Sequence, residues 1–373
     1  MNALQRINPK RRSPMKVRRP AWLDGVIISS SRPINAVARI GGCIATQKGG
    51  ILRNSYKVFR LMAFGHYSLR EIQNYEMLSP APPFEGRAIS KESALRILRR
   101  LNRPDNLPLT EDKLLFSRIC GEHCLPCPAT LATISHGTAT PEPNMPVEAP
   151  PGIVAKPVDG AYGRGILFLD RRGDRYIGGS LELPVEDWPK ALASRLPRDE
   201  TWLVQTRYRP HRVVRKLSGS EALTTYRVGT YRAPGSDNPE IIFQYLRLAG
   251  PGSLLDNFAW ARGGNAIVTL NAEGDRLQDV LTYNAAVGRL ESTWVHPWTD
   301  EQLHGIPAPL AEECRGLACN AARAFAPLRA VGWDIGISED GPVLIEGNAH
   351  FDPPFASIFP ADGWRRLAME AHR

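Results

Sequence analysis

Trp333-Asp334-Ile335-Gly336-Ile337-Ser338-Glu339-Asp340-Gly341-Pro342-Val343-Leu344-Ile345-Glu346-Gly347-Asn348 is the stretch on which the fold turns. Residues 332–337 and 342–345 are short apolar runs, with Glu339-Asp340-Gly341 between them. Asp-Gly between apolar runs predicts a β-hairpin. That hairpin brings Asp334 beside Glu346 and Asn348. Side chains alternate along a strand, so Glu346 and Asn348 are expected on one face. Two carboxylates and an amide oxygen then form a hard-oxygen site, suited to Mg²⁺ carrying nucleotide phosphates. Taken alone, the same pattern fits a solvated hairpin.

A second pattern lies upstream. Residues 152–170 read Gly-Ile-Val-Ala-Lys-Pro-Val-Asp-Gly-Ala-Tyr-Gly-Arg-Gly-Ile-Leu-Phe-Leu-Asp. They predict a strand ending at Lys156, a loop with Gly160, Gly163, Arg164 and Gly165, and a strand over 166–169. Glycines let backbone N–H groups approach phosphates closely. A lysine on the adjoining strand adds a point charge. No helix follows the glycines, so this is neither a Walker loop nor a Rossmann turn.

Lys-Pro-x-x-Gly-x-x-Gly-x-Gly, followed far downstream by Asp and Glu-x-Asn, resembles the ATP-grasp superfamily. Further stretches fit in order. Leu109-Thr-Glu-Asp-Lys113 opens a helix, and residues 202–205 resemble the hinge strand beside adenine. Residues 224–230 resemble a strand carrying an active-site arginine, Arg227. Leu255-Asp-Asn257, Gly263-Gly264 and the Gly-Trp-Asp and Glu-Gly-Asn ends resemble most closely the sugar-transfer-associated subgroup. The likeness runs from about residue 109 to 354.

The resemblance implies an α+β fold in which two lobes with antiparallel sheets clasp ATP. It implies that Lys113 and Lys156 contact the α- and β-phosphates, and that the loop bearing Gly160, Gly163, Arg164 and Gly165 closes over the triphosphate. Gln205 would lie along adenine. Asp334, Glu346 and Asn348 would hold Mg²⁺, and Arg227 would stabilise the transferring phosphoryl group. Where relatives have an acidic ribose contact, this chain has His211, which takes that place or caps a helix. Arg247, Asp256 and Asn257 either face the acceptor or stabilise a turn. The implied reaction joins a carboxylate to an amine or similar nucleophile through an acyl phosphate, on a sugar-linked or cell-envelope compound. A non-catalytic nucleotide-binding scaffold and a phosphotransferase acting on a hydroxyl are the alternatives.

Composition sets the outer limits. The chain has 373 residues, 43% of them hydrophobic and 23% charged, ordinary for a globular protein. Its net charge is +9, but Arg6, Lys10, Arg11, Arg12, Lys16, Arg18 and Arg19 supply seven of those charges, leaving about +2. That argues against a nucleic-acid-binding body. The tail is the candidate contact for an anionic partner, and a solvated arm is its plainer reading. No apolar run is long enough to span a bilayer. Six cysteines make no disulfide scaffold and fit a reducing, cytoplasmic setting. Cys120, His123, Cys124 and Cys127 have a spacing that invites a metal reading, but structural zinc sites draw on two separated knuckles.

The expected layout is a tail over 1–20, a mainly helical region over 21–105, a first lobe over 106–205 and a second, metal-bearing lobe over 206–373. Leu52, Tyr56, Phe59 and Met62 predict a core-facing helical stripe, as do Ala94, Leu95, Leu98 and Leu101. Ser68-Leu-Arg-Glu71 predicts a capping box, and Thr110 an N-cap. Residues 137–151 read as an exposed loop.

Overall fold

The computed structural model describes residues 50–79, 82, 86–143, 148–158, 165–258, 264–284 and 289–372. The basic tail, residues 21–49 of the region expected to be mainly helical, and Gly160, Gly163, Arg164 and Gly263 lie outside them.

Helices open the described chain: α1 (Ile51–Ala63), α2 (Leu69–Asn74) and α3 (Lys91–Leu101). Most of the stripe expected to bury α1 faces outward, and only Met62 packs half-buried against the core. Leu52 is 88% exposed and Tyr56 and Phe59 are also exposed, whereas Asn54 and Val58 are buried. Helical spacing identifies a helix, not which of its two apolar stripes is covered. The capping box of α2 is present: Glu71 N–H donates to Ser68 Oγ, and Ser68 N–H donates to Glu71 Oε2 at 2.7 Å. On α3, Ala94, Leu98 and Leu101 are buried, with Arg96, Arg99 and Arg100 outside.

A single turn, α4 (Pro108–Glu111), leads into α5 (Lys113–Glu122). The cap of α5 is Asp112, not Thr110. Asp112 Oδ1 accepts from the Leu114 and Leu115 amides at 2.9 and 3.0 Å. Thr110 is buried in α4, its hydroxyl turned back to the Leu107 carbonyl. A carboxylate makes the stronger cap because its bonds are charge-assisted.

The first sheet comprises β1 (Thr130–Ser135), β2 (Thr138–Pro141), β3 (Gly152–Pro157), β4 (Leu167–Arg172), β5 (Arg175–Gly178), β6 (Leu181–Pro184) and β7 (Trp202–Thr206). Helix α6 (Trp188–Ala193) packs on it. The order is β2-β1-β7-β3-β4-β5-β6, all neighbours antiparallel. Part of the expected loop is therefore a strand. Gly137, with φ 76°, makes the turn that folds β2 onto β1.

The second sheet follows helix α7 (Arg212–Ser218). Its strands are β8 (Thr225–Tyr231), β9 (Glu240–Leu248), β10 (Ala266–Leu270), β11 (Leu277–Asn284), β12 (Arg289–Thr293), β13 (Ala330–Ser338) and β14 (Gly341–Asn348). Helix α8 (Ala311–Ala324) precedes β13, and α9 (Ala361–Glu370) ends the chain. The order is β12-β11-β10-β9-β8-β13-β14, again antiparallel throughout.

Strand alternation gives this sheet two faces. Tyr226, Val228, Leu246, Val268, Trp333 and Ile335 pack beneath α8 and α5. Tyr231, Phe243, Tyr245 and Ala330 turn to the other face, covered by Leu98 of α3 and Trp364 of α9. That second face is apolar only at one end. At the other end it carries Arg227, Arg247 and Asp334.

The segment between α5 and β1 ties the sheets together. Leu344 N–H of β14 donates to the Pro126 carbonyl at 2.8 Å, and Gln205 Nε2 of β7 donates to the Pro128 carbonyl at 3.1 Å. Two α+β parts with antiparallel sheets, preceded by helices, make an ATP-grasp architecture. Among the described residues no helix is long and apolar enough to cross a membrane.

Candidate functional site

The hairpin β13–β14 forms as the sequence predicts, with Asp334 opposite Glu346. Its register holds one irregularity that plain alternation does not foresee. Ile335 pairs with Leu344 and Asp334 with Glu346, so Ile345 is an extra residue, a β-bulge. The bulge lets Leu344 stay in the core while Glu346, two residues on, faces Asp334 on the opposite side. Without it, Leu344 and Glu346 would share a face.

A row of side chains therefore crosses four strands: Glu346, Asp334, Arg227 and Tyr245. Arg227 grips Asp334 with a fork, from Nε to Oδ1 and from Nη2 to Oδ2, the latter at 2.9 Å. Arg247 reaches the same carboxylate, Nη2 to Oδ2, at 2.9 Å. Burial alone would raise Asp334, but the two guanidiniums hold it well below the usual carboxylate range. Glu346 moves the other way. Desolvation and then the charge of Asp334 push it up. Its side chain nonetheless stays open to solvent. Asn348 Nδ2 donates to Glu346 Oε1 at 3.1 Å.

The first sheet contributes Lys156. Ile153 and Ala155 of β3 enter the core of that sheet, so Lys156 projects from the other face. Burial depresses its ammonium to about 8; Glu346 and Cys127 oppose the shift, and the nearby Lys113 adds to it. Lys113, the first residue of α5, donates to the Val158 carbonyl just beyond β3. Two amines from different elements thus share a neighbourhood with Glu346 of the second sheet.

The other expected contacts are placed as follows. Gln205 is buried on β7, its amide spent on Pro128. His211 caps α7: its Nδ1 accepts from the Val213 amide at 3.3 Å. Gly165 has φ +75° and abuts Pro157. Arg227 does not extend toward open cleft; Asp334 occupies its fork. Asp256 and Arg247 form a buried set with Thr225, a residue no motif singled out. Asn257 offers its carbonyl to Asn265 Nδ2 at 2.7 Å. Cys120 is buried and Cys127 half-buried, whereas Cys124 is exposed. Among the described residues no three His, Cys, Asp or Glu side chains gather as a metal site.

Two carboxylates and an amide nevertheless suit a hard divalent cation. Two opposed carboxylates on neighbouring strands mark a place where positive charge is wanting. Glu346 and Asn348 offer oxygens there directly. Asp334 would join them by exchanging Arg227.

Residues 92–364, well over half of the sequence, match the family described as sugar-transfer associated ATP-grasp, and the chain belongs to that family. Three solved structures are similar at low identity. The ATP-grasp ligase PsnB with its minimal precursor is 14% identical, with TM-score 0.36, over 73% of this chain and 64% of its own. The ADP complex of purK, N5-carboxyaminoimidazole ribonucleotide synthetase, is 12% identical, with TM-score 0.37, over 67% of this chain and 47% of its own. D-alanyl-alanine synthetase A from Vibrio cholerae O1 biovar eltor is 11% identical, with TM-score 0.41, over 72% and 67%. The chain thus spans less than two thirds of the first two. Similarity this low defines neither substrate nor reaction. No curated protein matches the chain.

Proposed function

We propose that this chain is an ATP-dependent ligase that joins a carboxylate to an amine or similar nucleophile. Family membership supports the nucleotide chemistry. The observation that carries the site assignment is the meeting of Lys113, Lys156 and Glu346 between the two sheets.

In this reading Lys113 and Lys156 hold the phosphates as point charges, and Gln205 lies on the strand beside the base. Glu346, Asn348 and Asp334 would hold Mg²⁺, which when bound would neutralise phosphate charge. Arg227, once free of Asp334, stabilises the phosphoryl group in transfer. A carboxylate oxygen of the acid attacks the γ-phosphorus, the bond to the β-phosphate oxygen breaks, and ADP leaves. The nucleophile then attacks the acyl carbon, phosphate departs, and the nucleophile's proton passes to solvent or base. No side chain becomes covalently attached, so positioning and electrostatics supply the rate. The family's description, sugar-transfer associated, favours a sugar-linked acid as substrate.

The test is ADP release across sugar acids and amino acids, with hydroxylamine as nucleophile to trap the acyl phosphate as a hydroxamate. ATP-dependent hydroxamate is expected, and Lys156→Ala and Glu346→Ala are each expected to lower kcat/KM by about 100-fold or more, the scale of lost charged contacts to a transition state. A stable phosphorylated hydroxyl compound would mean a phosphotransferase. Saturable ATP binding without turnover on any acid would mean a scaffold.

A further inference from the structure

Two guanidiniums meet one carboxylate at Asp334, and they are held very differently. Arg247 donates from Nε and Nη2 to Thr225 Oγ1, at 2.9 and 2.7 Å. Its Nη2 also lies 3.6 Å from Asp256 Oδ1. Asp256 Oδ2 accepts from the Thr225 amide at 2.8 Å and from its hydroxyl at 2.6 Å. The Thr225 hydroxyl gives its one hydrogen to Asp256, so toward Arg247 it can only accept. Arg247, Asp256 and Thr225 are all buried. The hydrogen bonds of Arg227 among the described residues go to Asp334 alone.

Charge makes the same distinction. Asp334, Asp256 and Glu346, when ionised, face Arg227 and Arg247. With Arg227 withdrawn, three carboxylates face one guanidinium and the Lys156 ammonium, and the net negative charge that remains favours a divalent cation. A cation and Arg227 on the same carboxylate would repel each other at a few ångströms in a poorly solvated place. Arg247 cannot yield, because two partners besides Asp334, Thr225 and Asp256, fix it. Arg227 can.

We propose that Arg247, locked by Thr225 and Asp256, is a positioning residue that fixes Asp334 at the cation end of the cleft, and that Arg227 is the exchangeable partner, leaving Asp334 when a divalent cation is bound there. The inference rests on the metal assignment made above.

Mn²⁺ binding to the full chain, with and without ADP, tests it through the electron paramagnetic resonance of the free ion. Arg247→Lys keeps the charge but loses the fork. It is expected to weaken Mn²⁺ binding by about 10- to 100-fold, the range for residues that orient a metal ligand, and to leave metal-free ATP affinity unchanged. Thr225→Val should reproduce the loss and Thr225→Ser should not. Arg227→Gln should bind Mn²⁺ more tightly than wild type. Melting temperatures identify any variant that fails to fold, and the Thr225 pair then carries the test. Wild-type Mn²⁺ affinity in both Arg247→Lys and Thr225→Val, or no tightening in Arg227→Gln, would overturn the inference alone. Retained Mn²⁺ binding in Glu346→Gln, or none in wild type under either condition, would remove the metal assignment and the inference together.

Discussion

Lys156 is held in a place that does not suit an ammonium. Burial lowers it to about 8, against an ordinary 10.5. Between those values the unfolded chain binds more protons than the folded one, so stability rises with pH across that window. Below pH 8 the whole cost is present, on the order of 3 kcal/mol for a shift of this size and less in so far as the half-buried side chain keeps solvent contact. Lys156→Met is therefore expected to raise the melting temperature of the ATP-free protein at pH 7, with the gain fading toward pH 10.5, and to abolish the shift that ATP induces. Calorimetric melts at pH 7, 8.5 and 10 check this. A variant less stable than wild type at pH 7 would mean that the ammonium is well solvated. Such a lysine is legible in sequence as part of a motif. Its discomfort is not, because the partners that bury it come from α5, β14 and the segment around Cys127.

At the scale of elements, the β13–β14 hairpin shows both the reach and the limit of pattern reading. Asp-Gly flanked by apolar runs suffices to predict the hairpin, and it puts Asp334 and Glu346 together. The bulge at Ile345 has no composition signal of its own, since any apolar residue can occupy it; it exists because core packing wants Leu344 on one face and the site wants Glu346 on the other. Deleting Ile345 tests this reading. In the bulged register the deletion restores regular pairing and leaves Glu346 opposite Asp334. Mn²⁺ binding is then expected to stay within about tenfold of wild type, a smaller loss than misorienting a metal ligand causes. Under plain alternation the deletion would turn Glu346 to the core face, and binding would vanish. Helix α1 teaches a similar lesson: the spacing of Leu52, Tyr56 and Phe59 gives the helix correctly, but tertiary packing chose Asn54 and Val58 as its buried side.

For the whole molecule, the antiparallel lobes and the meeting of the lysines with Glu346 follow from motifs spread over more than two hundred residues. The pairing of Arg227 and Arg247 on Asp334 does not. It depends on register across β9, β8 and β13, which single-sequence patterns leave open. The cap at Asp112 and the weakly alternating strands β11 and β12 likewise carry no clear sequence signal. The central claim concerns the clasp itself: one nucleotide is held by amines from the first sheet's side and oxygens from the second. Titration calorimetry of a non-hydrolysable ATP analogue, with and without Mg²⁺, tests it most directly. Wild type should bind more tightly with Mg²⁺; Glu346→Ala should lose that Mg²⁺ dependence, and Lys156→Ala should lose about tenfold or more in both conditions, the worth of one charge-assisted contact. Wild-type affinities in both variants would contradict the clasp.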